Sequence, residues 1–165
     1  MNGTIVYLSM GSNLSDRLMN LTQAGEAIRK QIGDLVKQSG VYESEAWGYS
    51  SAHSFYNCCL SVRTQLPPLR VMDTLLSIET SMGRVRKEGG YADRLIDIDL
   101  LFYGDLVLDH PRLILPHPAL HTRRFVLQPL ADIAPEKTHP GSGLQVIELL
   151  DRCPDQSKLM LVLKR

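Results

Sequence analysis

Cysteine is scarce in this chain. The three present (Cys58, Cys59, Cys153) form neither a disulfide framework nor the spaced pairs that bind zinc. That fits a reducing compartment, and a cytoplasmic location is expected. Long apolar runs are also missing: none approaches the roughly 20 residues that span a bilayer. The opening Met1-Asn2-Gly3-Thr4-Ile5-Val6-Tyr7 lacks the basic-then-apolar pattern of a secretory leader, so no membrane partner is expected. Neither sign of charge is in excess, 18 Lys and Arg balancing 18 Asp and Glu. No global field therefore draws the chain to nucleic acid. Glycine-rich phosphate cradles are absent too: there is no Gly-x-x-x-x-Gly-Lys-Ser/Thr, no Gly-x-Gly-x-x-Gly and no protein-kinase signature set. Any bound phosphate must be held by side chains and metal.

What is present is concentrated in Arg94-Leu95-Ile96-Asp97-Ile98-Asp99-Leu100-Leu101-Phe102. Side chains alternate along a strand. Asp97 and Asp99 therefore share one face, and Ile96, Ile98, Leu100 and Phe102 are expected on the other. Adjacent carboxylates raise each other's cost of ionising, and a cation between them removes it. Hard oxygen donors favour Mg²⁺ or Mn²⁺. Arg84, Arg86, Lys87 and Arg94 lie just upstream, and arginine grips phosphate oxygens bidentately. Taken alone, the pair suits a solvated strand face as well as a metal site, and some sugar-nucleotide enzymes also use an Asp-x-Asp pair. Beside a basic loop it points to metal-bound polyphosphate.

At 165 residues the chain suits one domain, 1–165, with a full core. Strands are expected over 4–10, 35–43, 54–64, 94–102, 106–108 and 158–163. Leu14, Leu18, Leu21, Ile28 and Ile32 recur at helical spacing over 15–32. Pro67-Pro68 starts a second helix, with Leu69, Met72, Leu76 and Met82 as its apolar side and Gly83 at its end. Shorter helices are expected over 124–132 and 143–151. Strand, helix, strand, strand, helix, strand is the ferredoxin-like βαββαβ pattern of α+β folds, an antiparallel sheet covered by helices, here with extra C-terminal helices and a strand. The loop from Gly83 to Asp93 carries three glycines and several cations, so it is expected to be mobile and to close over bound nucleotide.

Two further groups stand out. Phe55 and Asn57 share a strand face, where a ring can stack on a flat heterocycle and an amide can read its edge. In isolation a core Phe and a turn-proximal Asn are the commoner case. The Pro-bounded connection Pro116-His117-Pro118-Ala119-Leu120-His121-Thr122-Arg123-Arg124-Phe125 packs two His, two Arg and an aromatic ring. Loops carry function more often than core elements, and His117 next to Arg123 suits phosphate.

These residues resemble the 6-hydroxymethyl-7,8-dihydropterin pyrophosphokinase family of folate biosynthesis over nearly the whole chain. The resemblance rests on Gly11-Ser12-Asn13, Ser44-Glu45-Ala46-Trp47-Gly48, Phe55-Tyr56-Asn57 and Gly83-Arg84-Val85-Arg86. It is strongest in the aspartate strand and the 116–125 connection. It implies transfer of a diphosphoryl group from ATP to a pterin hydroxymethyl, with release of AMP and two Mg²⁺ ions. Asp97 and Asp99 then resemble the metal ligands. Arg84, Arg86, Arg94, His117 and Arg123 match triphosphate contacts, and Arg84 and Arg94 join the aspartates as catalytic positions. Glu79 matches a nucleotide-side position near the ribose. Phe55 and Phe125 match the rings that sandwich the pterin, with Asn57, Ser44, Trp47 and Asp97 completing that site. A monomer acting on these small molecules is implied. One departure is clear: the family writes Arg-aromatic-Gly-Pro-Arg where this chain has Gly90-Tyr91-Ala92-Asp93-Arg94.

Two other classes share the topology. A small-molecule sensor would leave the aspartate pair unexplained. An RNA-binding module is disfavoured by balanced charge and by the lack of a basic, aromatic RNP-like strand.

Overall fold

The computed structural model describes residues 2–84 and 92–165. Arg86 and the central part of the 83–93 loop lie outside them. Strand β1 (Thr4–Ser12) leads into helix α1 (Arg17–Gln31), followed by β2 (Gly33–Gln38), β3 (Val41–Ser44), β4 (Phe55–Thr64), α2 (Pro68–Ser81) and β5 (Asp97–Tyr103). A hairpin of β6 (Leu108–His110) and β7 (Leu113–Leu115) follows, then a 3₁₀ turn (Leu120–Thr122), α3 (Arg124–Ile133), α4 (Val146–Asp151) and β8 (Met160–Leu163). The sheet runs β5-β1-β4-β3-β8, with β2 also paired to β4. All its pairings are antiparallel, the expected α+β arrangement.

Local chemistry sets the boundaries. Asp16 caps α1 by accepting a hydrogen bond from the Met19 amide at 3.0 Å. Arg29 and Lys30 sit in its last turn, where cations favour the helix dipole. The return from α1 into β2 is so close that a Cβ on Gly33 would lie 1.9 Å from the Arg63 carbonyl oxygen. Gly83, at φ +92°, ends α2 as a left-handed glycine does.

The two sheet faces carry two cores. Val6, Leu8, Met10, Leu60, Val62, Ile96, Ile98 and Leu100 pack under α1 and α2 with Leu21, Ile28, Val71, Leu75 and Ile78. On the other face Cys59, Leu101 and Phe102 pack with Leu127 and Leu130 of α3 and Val146 and Leu149 of α4. Each fully buried leucine contributes about 2 kcal/mol of transfer free energy.

Several expectations are corrected. The span 35–43 is two strands: Ser39 interrupts it, its hydroxyl accepting from the Cys59 amide at 2.8 Å and donating to the Gly40 carbonyl at 2.7 Å. Leu18 is exposed, and Ala24 takes its place in the α1 stripe. The buried stripe of α2 is Val71, Leu75 and Ile78; Leu69, Met72 and Met82 are only partly buried against it, and Leu76 is likewise half-buried. Phe102 leaves the face of Ile98 because the β1–β5 register shifts: Leu8 faces Leu100 but Tyr7 faces Phe102. The extra residue, Leu101, is a bulge that turns Phe102 into the second core. Strand β6 starts at Leu108 rather than 106, and its partner β7 was unforeseen.

Candidate active site

On β1, β4 and β5 the odd-numbered residues near the Asp97 end look away from α1 and α2. Gly11 pairs with both Asn57 and Asp97, and Ser9 with Asp99. At that end a cavity of about 180 Å³ opens between the sheet, the start of α3 and the 45–54 connection. Its floor is Ser9, Gly11, Phe55 and Asn57, and its walls include Ser44, Trp47, Tyr49 and Phe125; Arg94, Asp97, Asp99, His117 and Arg123 form its charged end. A Cβ on Gly11 would stand 3.4 Å from Phe55 Cδ1 and Asn57 Oδ1, so the absent side chain keeps the floor flat. Asn57 is held by donating to Ser44 Oγ at 2.8 Å and the Tyr42 carbonyl at 3.2 Å. Trp47 and Phe125 face each other at 6.3 Å, and the Arg123 guanidinium lies 4.8 Å from the Trp47 ring, within cation–π range.

Both aspartates open into this cavity with 29% and 27% of their side-chain surface exposed. Arg84 meets Asp97 Oδ1 at 2.9 Å, and Arg94 approaches Oδ2 at 3.3 Å. Asp99 has weaker company: Arg123 Nη1 at 3.6 Å and His117 Nε2 at 3.9 Å. Burial, and then the Asp97 charge, push the Asp99 carboxyl up to about 7 against the opposing pull of Arg123. Burial and Arg123 hold His117 down to about 4, so its ring is neutral near pH 7. Its Nδ1 accepts the Ala119 amide at 3.2 Å, which leaves the proton on Nε2, aimed into the cavity. Arg123 Nε is buried with no hydrogen-bond partner among the described residues, an orphan donor that an anion would satisfy.

No cluster of three or more His, Cys, Asp or Glu suited to a metal occurs among the described residues. A cation here would take two carboxylates and draw its other ligands from water and a bound phosphate, the habit of Mg²⁺. The donor set fits that ion.

A family model described as 7,8-dihydro-6-hydroxymethylpterin-pyrophosphokinase (HPPK) matches residues 7–135. The chain belongs to this family. It is 42% identical over 134 residues to the 2-amino-4-hydroxy-6-hydroxymethyldihydropteridine pyrophosphokinase of Porphyromonas gingivalis, covering 79% of this chain and 91% of that one. The Synechocystis enzyme of the same name is 39% identical over 152 residues, covering 92% and 76%. Among solved structures, an HPPK-DHPS in complex with substrates superposes with a TM-score of 0.76 at 15% identity, covering 92% of this chain and 43% of that chain. The last likeness concerns the fold, and the chain spans less than half of that longer protein. HPPK enzymes transfer a diphosphoryl group from ATP to hydroxymethyldihydropterin in folate biosynthesis, and this chain is a pyrophosphokinase.

Among the described residues, two expected at the pyrophosphokinase site, Arg84 and Glu79, do not line the cavity. Arg86 lies outside the described residues. Arg84 stands behind Asp97. Glu79 is only 2% exposed, and its Oε2 accepts from the Ile98 amide at 2.8 Å and Arg84 Nη1 at 2.6 Å. It thus braces the aspartate strand. Ser9, Gly11, Glu45 and Tyr49 also line the cavity; Gly11 and Glu45 stood only as members of the resemblance motifs, and none of the four was given a role in the site. Period-two alternation in β1, opposite the aspartates, was the signal for the first two.

Proposed function

We propose that the cavity is where the transfer occurs, with the heterocycle on the Phe55–Asn57 floor and the triphosphate at the charged end. What supports this reading is that an aromatic-and-amide floor and an acidic pair open into one small space on one sheet face. Phe55 and Phe125 stack on the pterin, and Asn57 and Ser44 read its polar edge. Arg94, His117 and Arg123 hold phosphate oxygens, with Arg123 Nε gaining the partner it lacks, and Arg84, expected among them, acts from behind Asp97. Asp97 and Asp99 hold two Mg²⁺, which supply charge neutralisation at the transferring phosphates. The hydroxymethyl oxygen gives up its proton and bonds to the β-phosphorus as the bond from that phosphorus to the α–β bridging oxygen breaks and AMP leaves. The chain supplies orientation and a dry, positive wall. Arg86 contributes from the same loop as Arg84.

We also read the chain as one domain over 1–165 and as a monomer in the cytoplasm. All three cysteines are free and buried, as a reducing compartment allows. No helix among the described residues is long and apolar enough to cross a membrane. The test of the site is AMP release from ATP and hydroxymethyldihydropterin by the intact chain and by Asp97→Asn and Phe125→Ala. The reading expects loss of turnover in the first and of pterin affinity in the second. Unchanged kinetics in both would overturn it.

A further inference from the structure

The 45–54 connection, which supplies Trp47 and Tyr49 to the cavity wall, contains no helix or strand. Something other than backbone pairing must therefore fix it against the sheet. Ser54 is tied to Arg17 and Glu43, and a second link is to Asp93, a residue outside the cavity lining. One oxygen, Asp93 Oδ1, accepts three hydrogen bonds: from Ser51 Oγ at 2.7 Å, Tyr49 Oη at 2.9 Å and Asn13 Nδ2 at 2.9 Å. Asn13, 2% exposed at the end of β1, also donates to the His53 carbonyl at 3.1 Å. Its own Oδ1 accepts the Arg94 amide at 2.7 Å, and its amide donates to the Arg94 carbonyl at 3.1 Å. Arg94 in turn reaches Asp97. A single carboxylate thus joins the wall of the heterocycle end to the arm that carries a cation of the phosphate end.

We infer that Asp93 is a positioning residue for the transfer: through Tyr49, Ser51 and Asn13 it sets the pocket wall and the Arg94 arm together, so that both half-sites are placed by one group. The geometry explains why a carboxylate stands there. One acceptor oxygen takes three donors, and ionised acceptors make the stronger hydrogen bonds. Removing the carboxylate frees the wall and the arm at once. Losses at the two ends should therefore appear together and should not add to losses from the residues it positions.

The inference rests on the cavity being the pterin site, and the experiment separates the two. Binding of a hydroxymethylpterin analogue and turnover with ATP are measured for the unaltered chain, D93A, D93N, S51A, Y49F and the doubles D93A/S51A and D93A/Y49F, with thermal unfolding of each. The expected result is a fall of about tenfold in analogue affinity and in kcat for D93A. D93N should be intermediate, since the amide keeps a weaker acceptor. The doubles should be no worse than D93A alone. If D93A does not fold, S51A and Y49F carry the test, each expected to weaken analogue binding several-fold with the melting temperature kept. Unchanged affinity and kcat in D93A, fully additive losses in the doubles, or native affinity in S51A and Y49F would overturn the inference. Failure of the unaltered chain to bind the analogue would instead overturn the pocket reading beneath it.

Discussion

Arg84 Nη1 lies 2.6 Å from Glu79 Oε2, an ion pair with 12% and 3% of the two side chains exposed. The same carboxylate oxygen accepts the Ile98 amide between the two aspartates. Glu79 therefore aims Arg84 at Asp97 and anchors the middle of the aspartate pair. Breaking such a pair leaves the Ile98 amide without its acceptor and Arg84 with Asp97 alone, which costs about 3 kcal/mol, the low end for a broken buried pair. Glu79→Ala should lose that much stability by urea unfolding. Glu79→Gln keeps an acceptor for Ile98 and should lose about 1–2 kcal/mol. A Glu79→Ala chain as stable as its parent would remove this role.

Asp99 stands in the opposite situation. Its folded pKa of about 7 lies above the ~3.9 of an unfolded chain, so its ionisation opposes folding. The penalty is absent below about pH 4, grows as pH rises to about 7, and is then fully present. Without divalent cation, Asp99→Asn should therefore unfold at a higher temperature than the parent at pH 8, and the gap should close toward pH 4. With Mg²⁺ and both substrates, turnover of Asp99→Asn and of Asp97→Asn should each fall by at least about 10²-fold, the scale of a lost charge-stabilising group. A parent that is the more stable at pH 8 without metal would contradict the electrostatic account. Near-parental turnover would contradict the metal assignment.

The cavity floor makes a steric prediction. A methyl on Gly11 would rest in contact with Phe55 and Asn57 at 3.4 Å and so stand in the space assigned to the heterocycle. Gly11→Ala should weaken pterin binding by calorimetry. Phe125→Ala should cost about 1–3 kcal/mol of pterin affinity, the scale of a lost stacking ring. Nucleotide binding should change much less in both. Equal weakening of both ligands would mean that the ring and the glycine serve the fold rather than the pocket.

Much of this site was legible because strand alternation is rigid. Asp97 with Asp99, and Phe55 with Asn57, had to share faces once β4 and β5 were recognised, and all four line one cavity. The antiparallel α+β order followed from the spacing of apolar runs and glycines. What escaped depends on long-range fit. The bulge at Leu101 arises from register with β1, and no local pattern marks it. Nothing local to Glu79 shows that β5 will bring the Ile98 amide to it while Arg84, just past the end of the same helix, folds back onto its carboxylate. Val71, Leu75 and Ile78 form as regular a stripe as Leu69, Met72 and Leu76, and only packing against the sheet selects between them. Asn13 and Asp93, 80 residues apart, meet only when β1 and the arm before β5 are side by side.

That meeting gives an acid-pH prediction. The hydrogen bond from Ser51 acts most strongly on the Asp93 carboxyl; burial comes next and opposes it, but the hydrogen bonds from Asn13 and Tyr49 and the nearby His53 add to Ser51 and hold the group below the usual carboxylate range. A folded pKa below the unfolded ~3.9 means that the ionised group favours the fold. The contribution is complete above about pH 4 and is lost as pH falls through the folded value. The parent should therefore be more stable than Asp93→Asn from pH 5 to pH 8 by a constant margin, and the margin should shrink only below about pH 4. Parallel urea titrations at pH 7, 5, 4 and 3 would show this. The slope of stability against denaturant should match in the two proteins, since no buried surface changes. A margin that already narrows between pH 7 and pH 5 would mean that another group titrates at the clasp. A margin that persists unchanged to pH 3 would mean that Asp93 acts by shape rather than by charge.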